Sequence, residues 1–266
     1  MTEWLAPTSL DEALRLRAER EDATVLAGGT FLAILINQGL LVPSVLLSLQ
    51  GVPGLDRIEV DAGGLRLGAL VTHRAVERSA LVREQWPAVA LTFGHVASPR
   101  VRNQATVGGV LADADYASDP PAMLTALEAR VVARSVRGER EVPVEKLIVG
   151  HYETTLEPDE LIVAVVVPGG ERRATYRKFR SRSHEDRPCV GVAAVRRPNA
   201  LRVVVGAVAH RPQLFPELCD PDASPAEIGA AYADAIEPIG DVRGSSGYRK
   251  RVIAVEVRRA LEEIAA

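Results

Sequence analysis

Apolar and polar positions follow two different periods along this chain, and the change from one to the other divides it. Near the start, Leu10, Ala13 and Leu14 recur at helical spacing behind Ser9-Leu10-Asp11-Glu12, a capping box, so a helix is expected there. Thr24 to Leu26 is a short apolar strand that runs into Ala27-Gly28-Gly29-Thr30. An apolar helix follows through Gln38, and Gly39 can stop it. Ser44 to Leu49 reads as a strand, while Arg57 to Val60 and Leu65 to Gly68 flank Ala62-Gly63-Gly64 as a hairpin. Thr72 caps a short helix, and Pro87 starts another that runs to His95.

The stretch Ser98 to Pro121 organises the rest. Thr106-Val107, a β-branched pair, reads as strand, so Gly108-Gly109 marks a sharp turn or a close backbone approach. A turn without side chains exposes consecutive N–H groups, a concavity that suits a phosphate. Asp119 before Pro120-Pro121 and the apolar series Met123, Leu124, Leu127 reads as a helix N-cap with proline in the first turn. By itself this is equally a β-turn and a capped helix of any α/β protein. The earlier Gly28-Gly29-Thr30 repeats the design, and two such turns can grip the two ends of one pyrophosphate. Neither is a G-x-G-x-x-G or a G-x-x-x-x-G-K-[ST], so a Rossmann or P-loop site is not supported.

Beyond Leu127 the period shortens to that of strands. Val131 to Val136 and Val142 to Val144 surround the charged turn Arg137-Gly138-Glu139, and Leu161 to Val167 is an unbroken aliphatic run. Thr175 to Phe179, Cys189 to Val195 and Leu201 to Val208 extend the strand-rich section. Ser224-Pro225-Ala226-Glu227 opens a helix, and Gly247 to Ile264 carries Ile253, Val257, Leu261 and Ile264 at helical spacing. Helices and strands mixed in this order imply two subdomains and a small C-terminal one, with Pro168-Gly169-Gly170 taken as a turn between them.

Composition narrows the chemistry. Charged residues are 25% and the net charge is −3, without a basic block for nucleic acid or a polybasic face for a membrane. Aromatics are 4%, so the core is aliphatic. Cys189 and Cys219 are the only cysteines and stand far apart, which excludes a cysteine-ligated iron–sulfur cluster within the chain. No apolar run approaches a membrane span, and the first residues carry no charged leader or apolar h-region, so a cytoplasmic protein is expected. The five histidines lack metal-ligand spacing, and Asp113, Asp115 and Asp119 lack the glycine and glutamate of an EF-hand. No metal is expected, and no residue stands out as an acid/base catalyst. Arg100 and Arg102, close to the second glycine pair, are open to offsetting phosphate charge or to forming a salt bridge.

Ala27-Gly28-Gly29-Thr30, Val101 to Gly109 and Asp119-Pro120-Pro121 together resemble the FAD-binding medium subunit of molybdenum hydroxylases, the family of carbon monoxide dehydrogenase and xanthine dehydrogenase. Leu65-Arg66-Leu67-Gly68-Ala69, Tyr176-Arg177-Lys178 and the closing Asp241 to Lys250 carry the resemblance nearly end to end. It implies an α+β fold: a PCMH-type FAD-binding unit of two α/β subdomains at residues 1–167, then a C-terminal α+β domain at 168–266. It implies an electron-transfer role, with electrons arriving from an iron–sulfur small subunit beside a molybdenum-cofactor large subunit and leaving to an external acceptor. The implied flavin contacts are Val25, Leu26, Ala27, Gly28, Gly29, Thr30, Phe31 and Leu32 in the first loop. In the second they are Thr106, Val107, Gly108, Gly109 and Val110, and further on Asp119, Ile162, Lys178 and Val96. The residues alone leave Ile162 open as a plain core strand position and Lys178 as a solvated charge. No His or Cys lies in either glycine loop, so the FAD is expected to be non-covalent. The chain departs from the family at Phe31, Val110 and Ala112, where a polar residue, Asn or Thr, and Cys are usual. The lost polar groups remove about two hydrogen bonds of roughly 0.5–1.5 kcal/mol each. Phe31 and Val110 motivate one alternative, a flavin-free structural or interaction subunit; a second alternative is a stand-alone flavoprotein of the same fold that does its own redox chemistry.

Overall fold

A computed structural model describes residues 2–183 and 185–265 of the chain. Its first layer is a parallel sheet of β1 (Glu3–Leu5), β2 (Ala23–Leu26) and β3 (Val45–Ser48), with β3 in the middle. Helix α1 (Leu10–Glu19) joins β1 to β2, and Ser9 caps it by accepting the Glu12 N–H at 3.2 Å; the reciprocal half of the expected capping box does not form, because the Glu12 carboxylate accepts from the N–H and hydroxyl of Thr8 instead. Helix α2 (Leu32–Asn37) joins β2 to β3 and ends at Gly39, whose φ of +68° is the left-handed stop that glycine adopts cheaply.

The second layer is an antiparallel sheet in the order β4-β5-β10-β6-β7. The hairpin of β4 (Ile58–Asp61) and β5 (Gly64–Gly68) turns on Ala62-Gly63, with the Asp61 carboxylate accepting the Gly63 N–H at 2.7 Å. Between β5 and β6 come six helices: α3 (His73–Arg78), α4 (Ala80–Gln85), α5 (Pro87–Gly94), α6 (Pro99–Arg102), α7 (Val107–Ala112) and α8 (Pro120–Ala126). The chain then makes β6 (Arg130–Ser135), β7 (Gly138–Pro143), α9 (Val144–Leu147) and the small pair β8 (Ile148–Gly150) and β9 (Glu153–Thr154). Val144, expected at the end of a strand, instead begins α9.

Strand β10 (Leu161–Pro168) then enters the middle of the sheet, between β5 and β6. Its unbroken aliphatic run is what a strand covered on both faces needs. A register shift between Ile162 and Ala164 sends both Val163 and Ala164 to the core shared with β3, while Ile162, Val165 and Val167 face the helices.

The third layer is the antiparallel sheet of β11 (Arg173–Phe179), β12 (Val190–Arg197), β13 (Ala200–Gly206) and β14 (Gln213–Leu214). Alternation in β12 divides its side chains between two cores. Ala193 and Val195 pack towards α8, and Val190, Val192 and Ala194 pack under α10 (Pro225–Ala235) and α11 (Ser246–Ala265). Ile253, Val257, Leu261 and Ile264 are buried on α11 as their spacing predicts. The mixture of helix with largely antiparallel sheet is an α+β fold.

Two local readings are corrected. Thr106-Val107 is not a strand: Thr106 is the N-cap of α7, its hydroxyl accepting the Gly109 N–H at 3.1 Å, so the glycine pair lies in the first helical turn. Asp119 is not a capping side chain either. Its backbone is already helical and its carboxylate makes no bond to the first turn of α8, because it is drawn to partners in β11.

Candidate functional site

The two glycine loops meet, but they do unequal work. A Cβ on Gly28 would overlap the Gln104 carbonyl oxygen, so this glycine lets the first loop lie directly against the segment that precedes α7. Gly29 has φ +68° and turns the chain into α2. Through this turn the N–H groups of Gly28 to Leu32 make no hydrogen bond to any described residue, and they form a row of open donors at the head of α2. In the second loop the donors are spent. Val107 N–H binds Val71 O at 2.9 Å, Gly108 N–H binds Ala69 O at 2.8 Å, and those of Gly109 and Val110 return to Thr106. The expected second row of exposed amides is therefore absent, because α7 docks its first turn against the end of β5. Gly108 serves that docking, since a Cβ there would lie 2.8 Å from the Ala69 Cβ.

These loops wall a cavity of about 730 Å³, within the range of ligand pockets. Val25 to Leu32, Val96, Thr106, Gly108, Gly109, Val110, Asp119, Ile162 and Lys178 all line it. Val107 does not: its side chain is fully buried among the helices. Lys178, which also lines the cavity, is no solvated charge. Its ammonium lies 2.8 Å from the Asp119 carboxylate and 2.8 Å from the His95 carbonyl oxygen, and the Tyr176 hydroxyl donates to the other Asp119 oxygen at 2.7 Å. Burial pushes the Asp119 carboxyl up and the Lys178 ammonium down, each opposed by the partner's charge. An ammonium has three N–H groups, so one remains for a ligand in the cavity.

A row of backbone donors at a helix head faces an anionic group readily, and Arg17, Lys178, Arg187 and Arg243 among the lining residues add positive charge for one. The likeness to known proteins agrees. Residues 1–170 match the family model of the FAD-binding domain in molybdopterin dehydrogenase. The chain is 34% identical to the nicotine 6-hydroxylase medium subunit of Paenarthrobacter nicotinovorans, over 99% of this chain and 97% of that one. It is 30% identical to the carbon monoxide dehydrogenase medium chain of Hydrogenophaga pseudoflava, over 97% of this chain and 95% of that one. It belongs to this family of FAD-binding medium subunits. Among solved structures, reconstituted CO dehydrogenase from Oligotropha carboxidovorans superposes with a TM-score of 0.93 at 26% identity, covering 99% of this chain and 97% of that one. Quinoline 2-oxidoreductase from Pseudomonas putida 86 superposes with 0.91 at 29%, covering 100% and 97%.

For an FAD-binding medium subunit, the departures at Phe31 and Val110 now have a setting. The Phe31 ring stacks on Tyr152 with centroids 5.2 Å apart, and Tyr152 stacks on His151 at 3.8 Å. An aromatic ring at position 31 thus lines the cavity and also ties the first loop to the β8–β9 turn. Tyr152 holds a left-handed φ of +63° and donates its N–H to Ala114 O at 3.0 Å. Val110 exposes no polar group, and nothing in the structure replaces one.

Several cavity residues carried no sequence signal. His73, at the head of α3, is buried with its Nε2 3.2 Å from Thr106 O, and burial drives its pKa down to about 4, so it is neutral and carries its proton on Nε2. Asp113 is pushed up to about 7 by burial and by the neighbouring Asp115 charge, against the pull of Arg187. Asp115 pairs with Arg187 and accepts the Ala117 N–H at 3.0 Å. Among the described residues no group of acids, histidines and cysteines is placed to hold a metal. Arg102 takes the salt-bridge course: it binds Glu77 at 2.9 Å and the carbonyls of Val96 and Ala97, and so shapes the cavity wall from behind. Arg100 is exposed and lines no part of the cavity.

Proposed function

We propose that this chain is the FAD-binding electron-transfer subunit of a molybdenum-hydroxylase-type oxidoreductase. In this reading electrons come from an iron–sulfur subunit, itself fed by a molybdenum-cofactor subunit, and leave to an external acceptor. The observation that carries the reading is that the row of free amides from Gly28 to Leu32 and the Asp119–Lys178 pair line one cavity. FAD, when bound, supplies the redox chemistry. The protein's part is placement. The open amides and the Thr30 hydroxyl hold the pyrophosphate, and Lys178, fixed by Asp119 and His95, offers its remaining N–H to a polar edge of the cofactor. Val96 and Ile162 present apolar surface to its ring system. Gly108 and Gly109 bring α7 against the cavity without donating to the phosphates. Neutral His73 adds no charge to that wall.

The cofactor is expected to be held without a covalent bond: among the described residues no cysteine lines the cavity, and the lining His73 is committed to Thr106. We assign residues 1–167 to the FAD-binding unit and 168–266 to the C-terminal domain. The location is cytoplasmic; among the described residues no helix is long and apolar enough to cross a membrane. The test is the visible spectrum of the chain co-expressed with its two partner subunits, with the cofactor released by acid and weighed. One FAD per chain, freed without proteolysis, is expected. A colourless complex that excess FAD cannot reconstitute refutes the proposal.

A further inference from the structure

Between Asp22 and Asp56 the chain has no charged residue, although a quarter of all its residues are charged. Burial explains this for β2 and β3, whose side chains fill the first core. It does not explain α2 and the turn that follows. Not one residue of α2 is buried, although five of its six are aliphatic, and Ile34 is 47% exposed. Leu40 and Val42, just beyond, are 70% and 85% exposed, and Asn37 and Gln38 are the only polar side chains between them and Ile34. Exposed aliphatic side chains along a charge-free stretch have the composition of an interface centre.

Its position narrows the partner. Phe31, Leu32 and Ile34 line the cofactor cavity, so the apolar face and the cavity rim are one surface. The chain has no means of its own to deliver electrons: both cysteines are buried singly, and no metal-ligand cluster occurs among the described residues. The donor centre must therefore come to the rim on another protein, whereas a subunit that only oxidises substrate need not approach it.

We propose that α2 and the Leu40–Val42 turn are the docking face for the iron–sulfur subunit that feeds the flavin, an inference that rests on the function proposed above. The contact is apolar and uncharged, so the assembly should persist from about 0.1 M to about 1 M salt, where exposed ion pairs are screened.

The test co-expresses the full chain with both partners and compares wild type, Leu40→Glu/Val42→Glu and Val136→Glu. Neither position of the double variant lines the cavity, and Val136 is 56% exposed on the far β6–β7 turn. The double variant is expected to stay folded by circular dichroism and melting. Its yield of iron–sulfur subunit should fall by about tenfold or more, because each glutamate would be buried unpaired in the contact. Substrate-driven flavin reduction should fall with it, while Val136→Glu matches wild type. Retention of the iron–sulfur subunit at wild-type stoichiometry, or loss of the molybdenum subunit alone, overturns the proposal. So does an isolated wild-type dimer that the double variant splits while the heterocomplex still forms. A wild-type chain that captures neither partner removes the subunit reading itself, and the docking face with it.

Discussion

Gly28 and Gly39 both sit beside α2, yet they are glycines for different reasons, and substitution separates them. Gly39 has open space around it and only its φ of +68° to defend, so Gly39→Ala should cost about 1 kcal/mol and leave FAD binding unchanged. A methyl on Gly28 meets the Gln104 carbonyl, so Gly28→Ala must push the two loops apart. We expect its melting temperature and its FAD content to drop together; full FAD content with a normal melting temperature would show that the loops do not need this contact. Two titrating groups of the same cavity pull stability in opposite directions. His73 falls from its ordinary 6.5 to about 4 in the fold, so the unfolded chain binds the extra proton and stability rises with pH across that interval. Asp113 rises from 3.8 to about 7, so the folded chain holds the extra proton and stability falls as pH climbs from about 4 to about 7. The slopes largely cancel below pH 6.5. Asp113→Asn should leave the His73 slope alone in the variant's curve of stability against pH, while the difference from wild type reports the Asp113 contribution, each up to about 1.4 kcal/mol per pH unit. Parallel curves at pH 5 and pH 6.5 would contradict this.

Helix α11 shows how an element can be placed by one charged residue on its apolar face. Arg249 is fully buried, and its guanidinium binds the Asp241 carboxylate at 2.7 Å and the carbonyls of Ile239 at 2.8 Å and Ala207 at 3.0 Å. It thereby fixes the helix to the loop before it and to the end of β13. The Arg249 charge and the N–H of Arg243 help hold the Asp241 carboxyl down to about 2, against desolvation, and the Tyr116 hydroxyl reaches it from the edge of the cavity loop. A lysine has no planar fork for these three acceptors. Arg249→Lys keeps the charge but leaves a buried carbonyl without its donor, so it should destabilise the protein by about 1–3 kcal/mol, measured by denaturant unfolding; a loss under about 0.5 kcal/mol would mean the pocket is wet. Most of α11 was legible in the sequence, since four apolar positions at helical spacing need nothing else to define a face. The same is true of β10, whose unbroken aliphatic run announces a covered strand. What was not legible is what depends on distant partners. Asp119 before two prolines has every local mark of a cap, but its partners Tyr176 and Lys178 lie 57 and 59 residues away. Thr106-Val107 has strand propensity, yet Thr106 caps a helix because Val71 and Ala69 offer carbonyls to the next two amides. The cavity residues in the first loop could be nominated by motif; His73 and Arg187 could not, because nothing near them in the chain points to the cavity, and the stacking of Phe31 could not, because Tyr152 lies far along the chain.

At the scale of the whole molecule, three layers share their cores through a few strands that face two ways. β10 divides its side chains between the first core and the helical core, and β12 divides its own between the helical core and the C-terminal one. Position 161–168 for the central strand of the second sheet also sets an order of events during synthesis. β5 and β6 flank β10 and are both made before it, β5 long before. A ribosome that has released the chain as far as residue 156 has produced two hairpins with apolar edges and nothing to place between them. Closure must wait for a segment almost a hundred residues downstream of β5, and pairing over such separations is slow and exposed to aggregation. A fragment of residues 1–156 should go to the pellet or melt without a cooperative transition, and a soluble fragment with a sharp melting curve would count against this. In the cell, the interval before Leu161–Pro168 emerges is when this chain most needs a chaperone, and cofactor can be captured only afterwards, because Ile162 on that same strand lines the cavity.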